Sequence, residues 1–309
     1  MLGYLICAPS YNPNNGGSIV LHSLCNELND CGCEAYLVPY EDLVPVSTAN
    51  MLNGLTNLLK FYLKLRLNSF RTYPSFNTPV KRLSEVKKDI DQYIVVYPEI
   101  VFGNPFGASH IVRWLLHQPD FHKGYALHRR GDYYVKYNSA IAHFNYFDNE
   151  FSNYDLKVVH YPTDIYKPPL DPNDRKGEVY CVRKGRNRPD LVLPSNAVVI
   201  DDMPHADIAL LFQKAEKLIS FDTYTAYSRF AALCGCDSIV VPEKGVDKLD
   251  WYIDEKDRYG IAYGFEEQEQ KWMQDTRRFV NDRIQEEKAA VRRSVLSFIK
   301  DTQERFKCI

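Results

Sequence analysis

The chain has 309 residues, 45% hydrophobic and 25% charged, with 38 Lys and Arg against 40 Asp and Glu. That length and apolar content exclude a disordered chain and suit two α/β domains with full cores. A formal charge of -2 excludes a protein whose whole surface binds nucleic acid, while leaving room for a local basic face.

Gly3 to Pro9 reads as a short apolar strand, Ser10 to Asn15 as a polar turn, and Gly16-Gly17 as the opening of a helix with Ile19, Leu21, Leu24 and Leu28 on one face. Glu34 to Val38 returns as a strand, so the chain begins with a βαβ unit. The two glycines let backbone approach a ligand closely, but GGSIVLH lacks the GxGxxG spacing of a dinucleotide fold. From Met51 to Lys88 the character changes. Leu52, Leu55, Leu58, Leu59, Tyr62 and Leu63 fall at helical spacing, and Lys60, Lys64, Arg66, Arg71, Lys81, Arg82, Lys87 and Lys88 outweigh the single acid, Glu85. Two readings compete for this stretch: a solvated helix and loop, or a surface that rests on anionic lipid or takes a lipid-diphosphate acceptor.

Asp91 to Tyr97 is the next predicted strand. Pro98, Gly103 and Pro105 then enforce an irregular loop that carries Glu99. Ala108 to His117 is predicted as a helix with Ile111, Val112, Leu115 and Leu116 inward, and Asp132 to Tyr137 and Leu156 to His160 as strands. The Pro-rich run from Tyr161 to Gly177 reads as a linker. The expected division is an N-terminal domain over 1–165, a linker over 166–176, a second domain over 177–290 and a closing helix over 291–309 that packs back on the first domain.

In the second half, the strand Glu178 to Val182 empties into RKGRNRP, where Arg183, Lys184, Arg186 and Arg188 surround Gly185. Ala197 to Ile200 reads as a strand, Asp201-Asp202 as helix capping in preference to a metal cage, Ala206 to Lys217 as a helix and Leu218 to Phe221 as a strand. Asp222, Thr223 and Thr225 are of the types that cap a helix, Ala226 to Leu233 can run as that helix, Cys234-Gly235-Cys236 stops it, and Ile239 to Val241 resumes as a buried strand. A helix that starts at the carboxyl edge of a parallel sheet gathers free N–H groups and the positive dipole end, which suits a diphosphate. Plain capping is the competing reading. From Glu266 onward the pattern is helical, with Trp272, Phe279, Ile284, Val291, Val295 and Phe298 as candidate buried positions.

The eight cysteines form no CxxC pair and fall mostly inside predicted elements, so they are expected to be free structural thiols in a reducing compartment. The start MLGYLICAPSYN lacks a basic, then apolar, export pattern, and no run approaches a membrane span. The expectation is a cytoplasmic protein, with peripheral contact at the inner membrane face through residues 51–88.

Two βαβ domains joined by a Pro-rich linker, the Gly16-Gly17 turn, the Tyr97–Pro105 loop, the basic loop and the AALCGC helix together resemble GT-B fold glycosyltransferases. The closest likeness is to small bacterial surface-polysaccharide enzymes related to family 4, which act on O-antigen or capsule glycans. That resemblance implies an α/β GT-B architecture of two Rossmann-like domains facing across a cleft. It implies a nucleotide-sugar donor as substrate, a glycan or lipid-linked oligosaccharide acceptor, retention of configuration, and no cofactor or metal. Gly16 and Gly17 would approach the donor from the N-terminal domain, and His117 would lie at the donor site. Asp222 falls at the first position of the family's acidic pair, and the second position falls on Phe230, so ribose must be held by other groups.

The chemistry of transfer adds roles from the residues themselves. A leaving diphosphate gathers negative charge, so Arg183 and Lys184 at a strand end are expected to clamp it, with Asp222, Thr223, Tyr224 and Thr225 orienting the donor from the helix start. Glu99, as a base or a ligand of the acceptor hydroxyl, and His117 are the remaining catalytic candidates beside Asp222. Two other functions fit the same sequence: a GT-B-like sugar-nucleotide epimerase and a non-catalytic sugar-nucleotide-binding subunit.

Overall fold

Strand β1 (Gly3–Ala8) is buried along its whole length. Tyr4, Ile6 and Ala8 enter one hydrophobic cluster, while Leu5 and Cys7 enter another. Alternate side chains leave a strand on opposite faces, so a strand apolar at every position must lie in a sheet covered on both sides. The computed structural model describes residues 1–39, 70–119, 127–138, 141, 149–171, 175–252 and 254–307. They form two compact units, one of 1–160 with 288–309 and the other of 161–287.

In the first unit, helix α1 (Gly16–Asp30) follows β1 and leads to β2 (Ala35–Pro39). A single turn, α2 (Leu83–Val86), precedes β3 (Tyr93–Pro98), β4 (His110–Leu115), β5 (Tyr133–Lys136) and β6 (Phe151–Asp155). All six strands pair in parallel in the order β2-β1-β3-β4-β5-β6. The chain therefore reverses its direction of travel across the sheet between β1 and β3, and open α/β sheets bind ligands beyond the carboxyl ends of the strands at such a point.

The second unit repeats this plan on a smaller scale. Its strands are β7 (Glu178–Cys181), β8 (Val198–Val199), β9 (Lys217–Ser220), β10 (Asp237–Val240) and β11 (Ile261–Tyr263), parallel in the order β11-β10-β9-β7-β8. Helices α3 (His205–Lys214) and α4 (Ala226–Leu233) flank β9 in the chain, and α5 (Lys248–Trp251) and α6 (Glu267–Thr276) flank β11. Here the reversal falls between β7 and β9. The Pro-rich run belongs to this unit: Tyr166 is buried, and Arg175 donates to the carbonyls of Phe212 at 2.8 Å and Ala215 at 3.1 Å.

The last helix, α7 (Val280–Lys307), starts well before residue 291. Val291, Val295, Phe298, Ile299 and Phe306 come at helical spacing and pack into the cluster of Tyr4 and Ile6. Gln303 clamps the residue before the first strand from that helix, accepting from the Leu2 N–H at 2.9 Å and donating to the Leu2 carbonyl at 2.8 Å.

Two predicted elements are corrected. Residues 108–117 are not a helix: His110–Leu115 is strand β4, with Ile111 on one face and Val112 and Trp114 on the other. A strand buried on both faces loses the polar–apolar alternation, and without it no period separates the strand from a helix. The strand predicted at 156–160 lies earlier, at Phe151–Asp155. That edge strand is only partly buried and lacks an apolar run, whereas Leu156 and Val158 fill the core without being strand. Among the candidate buried positions, Phe279 is exposed, and Met273, one residue beyond Trp272, is the fully buried side chain of α6.

Candidate functional site

The carboxyl edge of the second sheet gathers the basic loop and the start of α4 at the reversal between β7 and β9. Residues Arg183–Asn187 form one turn of 3-10 helix directly after β7. Gly185 lies so near β9 that a β-carbon on it would sit 2.2 Å from the Phe221 carbonyl oxygen. Only glycine allows that approach, and it brings the loop that carries Arg183 and Lys184 against Phe221, the residue before Asp222. Lys184 is exposed, and Arg183 is half-buried with its guanidinium carbon 5.3 Å from the centre of the Tyr227 ring. Burial pushes the Tyr227 phenol up, and the Arg183 charge opposes that shift.

The residues before α4 divide their work. Thr225 is the N-cap, its hydroxyl accepting from the Tyr227 N–H at 3.3 Å, so the capping reading holds for it. Asp222 is buried, its carboxylate accepts from the Tyr224 N–H at 3.3 Å, and its carbonyl accepts from Ser220 Oγ at 2.9 Å. Thr223 is buried, donates to Glu243 at 3.3 Å and receives the Trp251 indole N–H on its carbonyl at 2.7 Å. Tyr224 is the exposed member, with its ring 5.8 Å from that of Tyr252.

Three features at this edge were not read from the sequence. Asp201, expected to cap a helix, instead accepts from the N–H groups of Val182 at 2.8 Å and Arg183 at 2.7 Å and so fixes the end of β7. Gly185, in sequence only a neighbour of the cations, is the point of contact with Phe221. Arg188 is a structural clamp that donates to the carbonyls of Val241 at 3.0 Å and Pro242 at 2.6 Å while paired with Asp190. The available signal was an acid immediately after the strand that neighbours the basic loop.

Phe230 is buried and stacks on Tyr166, the rings 4.3 Å apart and 16° from parallel. It belongs to the core side of α4, where a carboxylate would lose its hydration without gaining a partner.

The first unit assembles the other candidates at its own reversal. Asn15 caps α1, accepting from the Ser18 N–H at 2.9 Å, which leaves Gly16 exposed in the first turn. A β-carbon on Gly16 would meet nothing within 4 Å, whereas one on Gly17 would come 3.3 Å from the Asn15 side-chain oxygen and 3.9 Å from Leu116. Glu99 is buried just past β3, and its Oε2 accepts from the Leu116 N–H at 2.9 Å. His117, the residue after Leu116, is exposed just past β4 with Nδ1 accepting from the Gln118 N–H at 2.8 Å. Gly17, Glu99 and His117 thus meet around Leu116.

Behind them, Arg113 is wholly buried. It donates to Asp132 at 2.7 Å and to the Gly103 carbonyl at 2.6 Å, pinning the loop that follows Glu99. His128 donates from Nε2 to the Glu99 carbonyl at 3.2 Å and accepts at Nδ1 from the Tyr134 hydroxyl at 2.9 Å. Burial, aided by the Arg113 charge, pushes its pKa down to about 4, so the ring is neutral at ordinary pH.

Of the basic stretch, residues 51–69 lie outside the described residues. Lys81, inside them, stands 3.7 Å above the Tyr36 ring and 3.7 Å from Glu34, which are intramolecular partners. Among the described residues no group of His, Cys, Asp or Glu could hold a metal ion, and no helix is long and apolar enough to cross a membrane.

No family model matches the chain, and no curated protein matches it. Among solved structures it is similar to a point mutant of T4 phage BGT in complex with UDP-glucose, at 11% identity and a TM-score of 0.40 over 98% of this chain and 96% of that one. A likeness of that size fixes neither a family nor a ligand for this protein.

Proposed function

We propose that the protein is a glycosyltransferase that moves a sugar from a nucleoside-diphosphate donor to a glycan or lipid-linked acceptor. The observation that carries this reading is the close approach of the loop bearing Arg183 and Lys184, through Gly185, to Phe221, the residue before the Asp222–Thr225 turn, at the strand reversal of the second sheet. Diphosphate departure leaves negative charge, which two cations and a helix start stabilise more strongly as the bond breaks than before. Arg183 and Lys184 hold the diphosphate, and Asp222 and Tyr224 orient the sugar. Because the cations neutralise the leaving group, transfer proceeds in the presence of EDTA.

In the first unit, Glu99 is assigned to the acceptor hydroxyl, while Gly16, Gly17 and His117 keep the donor-side roles that the resemblance implies. Glu99, as base or ligand of the acceptor hydroxyl, and His117 are the catalytic candidates here; Glu99 accepts from the Leu116 N–H, and His117 Nδ1 accepts from the Gln118 N–H. Surface polysaccharide as the product and retention of configuration are parts of the proposal that the resemblance supports, and contact with anionic lipid is a part that rests on the basic composition of residues 51–88.

Calorimetric titration of common nucleotide sugars into the protein and into an Arg183→Ala, Lys184→Ala variant tests the donor site. The expected result is loss of binding in the variant; equal affinity for every donor overturns the assignment. Isomerised donor formed without acceptor would identify an epimerase. Full donor affinity with neither transfer nor hydrolysis over an acceptor panel would identify a binding subunit.

A further inference from the structure

At the end of β7 the backbone changes hand within two residues. Val182 has φ −107° and ψ −55°, and Arg183 has φ 36°, the one positive φ of a non-glycine residue among the described residues. Successive residues of opposite hand turn their N–H groups into one concavity that binds an anion. The anion here belongs to the protein: Asp201 places Oδ1 2.8 Å from the Val182 nitrogen and Oδ2 2.7 Å from the Arg183 nitrogen. Its side chain is 6% exposed, and Arg186 lies 3.5 Å from Oδ2 on the solvent side. A left-handed arginine persists only where its surroundings over-determine it, and this carboxylate is the group that does so.

We propose that Asp201 is a positioning residue for diphosphate binding, acting through the backbone of Val182 and Arg183 to aim the Arg183 side chain. This rests on the donor-site reading above. The two backbone N–H groups are occupied, so the phosphates are held by the Arg183 and Lys184 side chains, and Asp201 sets where the first of these projects. Charge and geometry make opposite predictions for its removal. Asp201 is an anion beside the proposed phosphate site, so by Coulomb interaction alone Asp201→Asn tightens phosphate binding. Loss of positioning weakens it, because asparagine offers one acceptor oxygen where two N–H groups need filling and turns an N–H₂ group toward the other.

The experiment has two arms. In the first, pyrophosphate and a panel of nucleoside diphosphates are titrated into the wild type, Asp201→Asn, Arg183→Ala and the double variant. The proposal expects Asp201→Asn to weaken binding about tenfold when Arg183 is present and to change it less than about twofold in the Arg183→Ala background. Tighter binding, unchanged binding or an equal loss in both backgrounds overturns it. The second arm needs no ligand and follows thermal unfolding of Asp201→Asn, Arg183→Gly and their combination. Glycine adopts a positive φ freely, so Asp201→Asn is expected to lower the melting temperature by about 4 °C with glycine at 183 and by less than half of that with Arg183, where release of the strained backbone offsets part of the lost hydrogen bonding. Equal losses overturn the positioning of Arg183 by Asp201. If the wild type binds no diphosphate, the donor-site reading fails, and the melting arm still decides whether Asp201 holds Arg183.

Discussion

Gly185 and Phe221 touch backbone to backbone: a β-carbon at residue 185 would lie 2.2 Å from the Phe221 carbonyl oxygen and 2.6 Å from its carbon. The two strand ends that frame the proposed donor site are held at a separation no side chain allows. Gly185→Ala is expected to cost about 1–3 kcal/mol as an overpacking change, and to weaken nucleotide-sugar binding by displacing Arg183 and Lys184. Urea unfolding measures the first effect and titration the second. A stability change under about 0.5 kcal/mol would show that the loop yields without consequence.

Arg113 and Asp132 form a fully buried ion pair behind Glu99. Asp132→Asn leaves a buried guanidinium without its counter-charge, for which about 3–5 kcal/mol of lost stability is expected. The urea midpoint should fall while the slope of the transition stays constant. Because Arg113 also holds the Gly103 carbonyl, the loop after β3 should become the first site of protease cleavage in this variant.

His128 makes stability depend on pH in a set direction. Its pKa falls from 6.5 in the unfolded chain to about 4 in the fold, so between these values the unfolded state binds the extra proton. The stabilisation is fully present above about pH 6.5 and is lost as pH falls toward 4, amounting to about 3 kcal/mol. His128→Gln does not titrate, and unfolding followed from pH 7.5 to 4.5 should show a shallower loss than in the wild type. Equal slopes in the two proteins would remove His128 from the acid response.

Burial raises the thiols of Cys181, Cys234 and Cys236 to about 12, while Cys31 is only half-buried. A thiol-specific reagent acts on the thiolate, so among the described cysteines Cys31 should be labelled first in the native protein, with Cys181, Cys234 and Cys236 reacting only after unfolding. Peptide mapping after timed labelling checks the order. Early modification of Cys234 would show that the end of α4 opens in the native state.

Much of the strand–turn–helix order was legible because each signal is local. The helix Ala226–Leu233 was read to the residue from the Thr225 cap and the Gly235 stop, and Gly235 has the left-handed φ of 79° that such a stop requires. Strand β4 was not legible, since His110–Leu115 is buried on both faces and its sequence carries no alternation of polar and apolar residues. The clustering of Gly17, Glu99 and His117 was equally hidden: each sits past a different element, and only the adjacency of β1, β3 and β4 brings them together.

The sequence alone determined the parallel α/β class, the cationic loop after Cys181 and the polar turn before Ala226, because composition and short-range pattern specify those. Tertiary structure decided which residues share an edge and what each one does there. Phe230 turned out to be a core residue stacked on Tyr166, and Asp201 a backbone anchor for Arg183, because burial and hydrogen-bond partners depend on chain segments far apart in sequence.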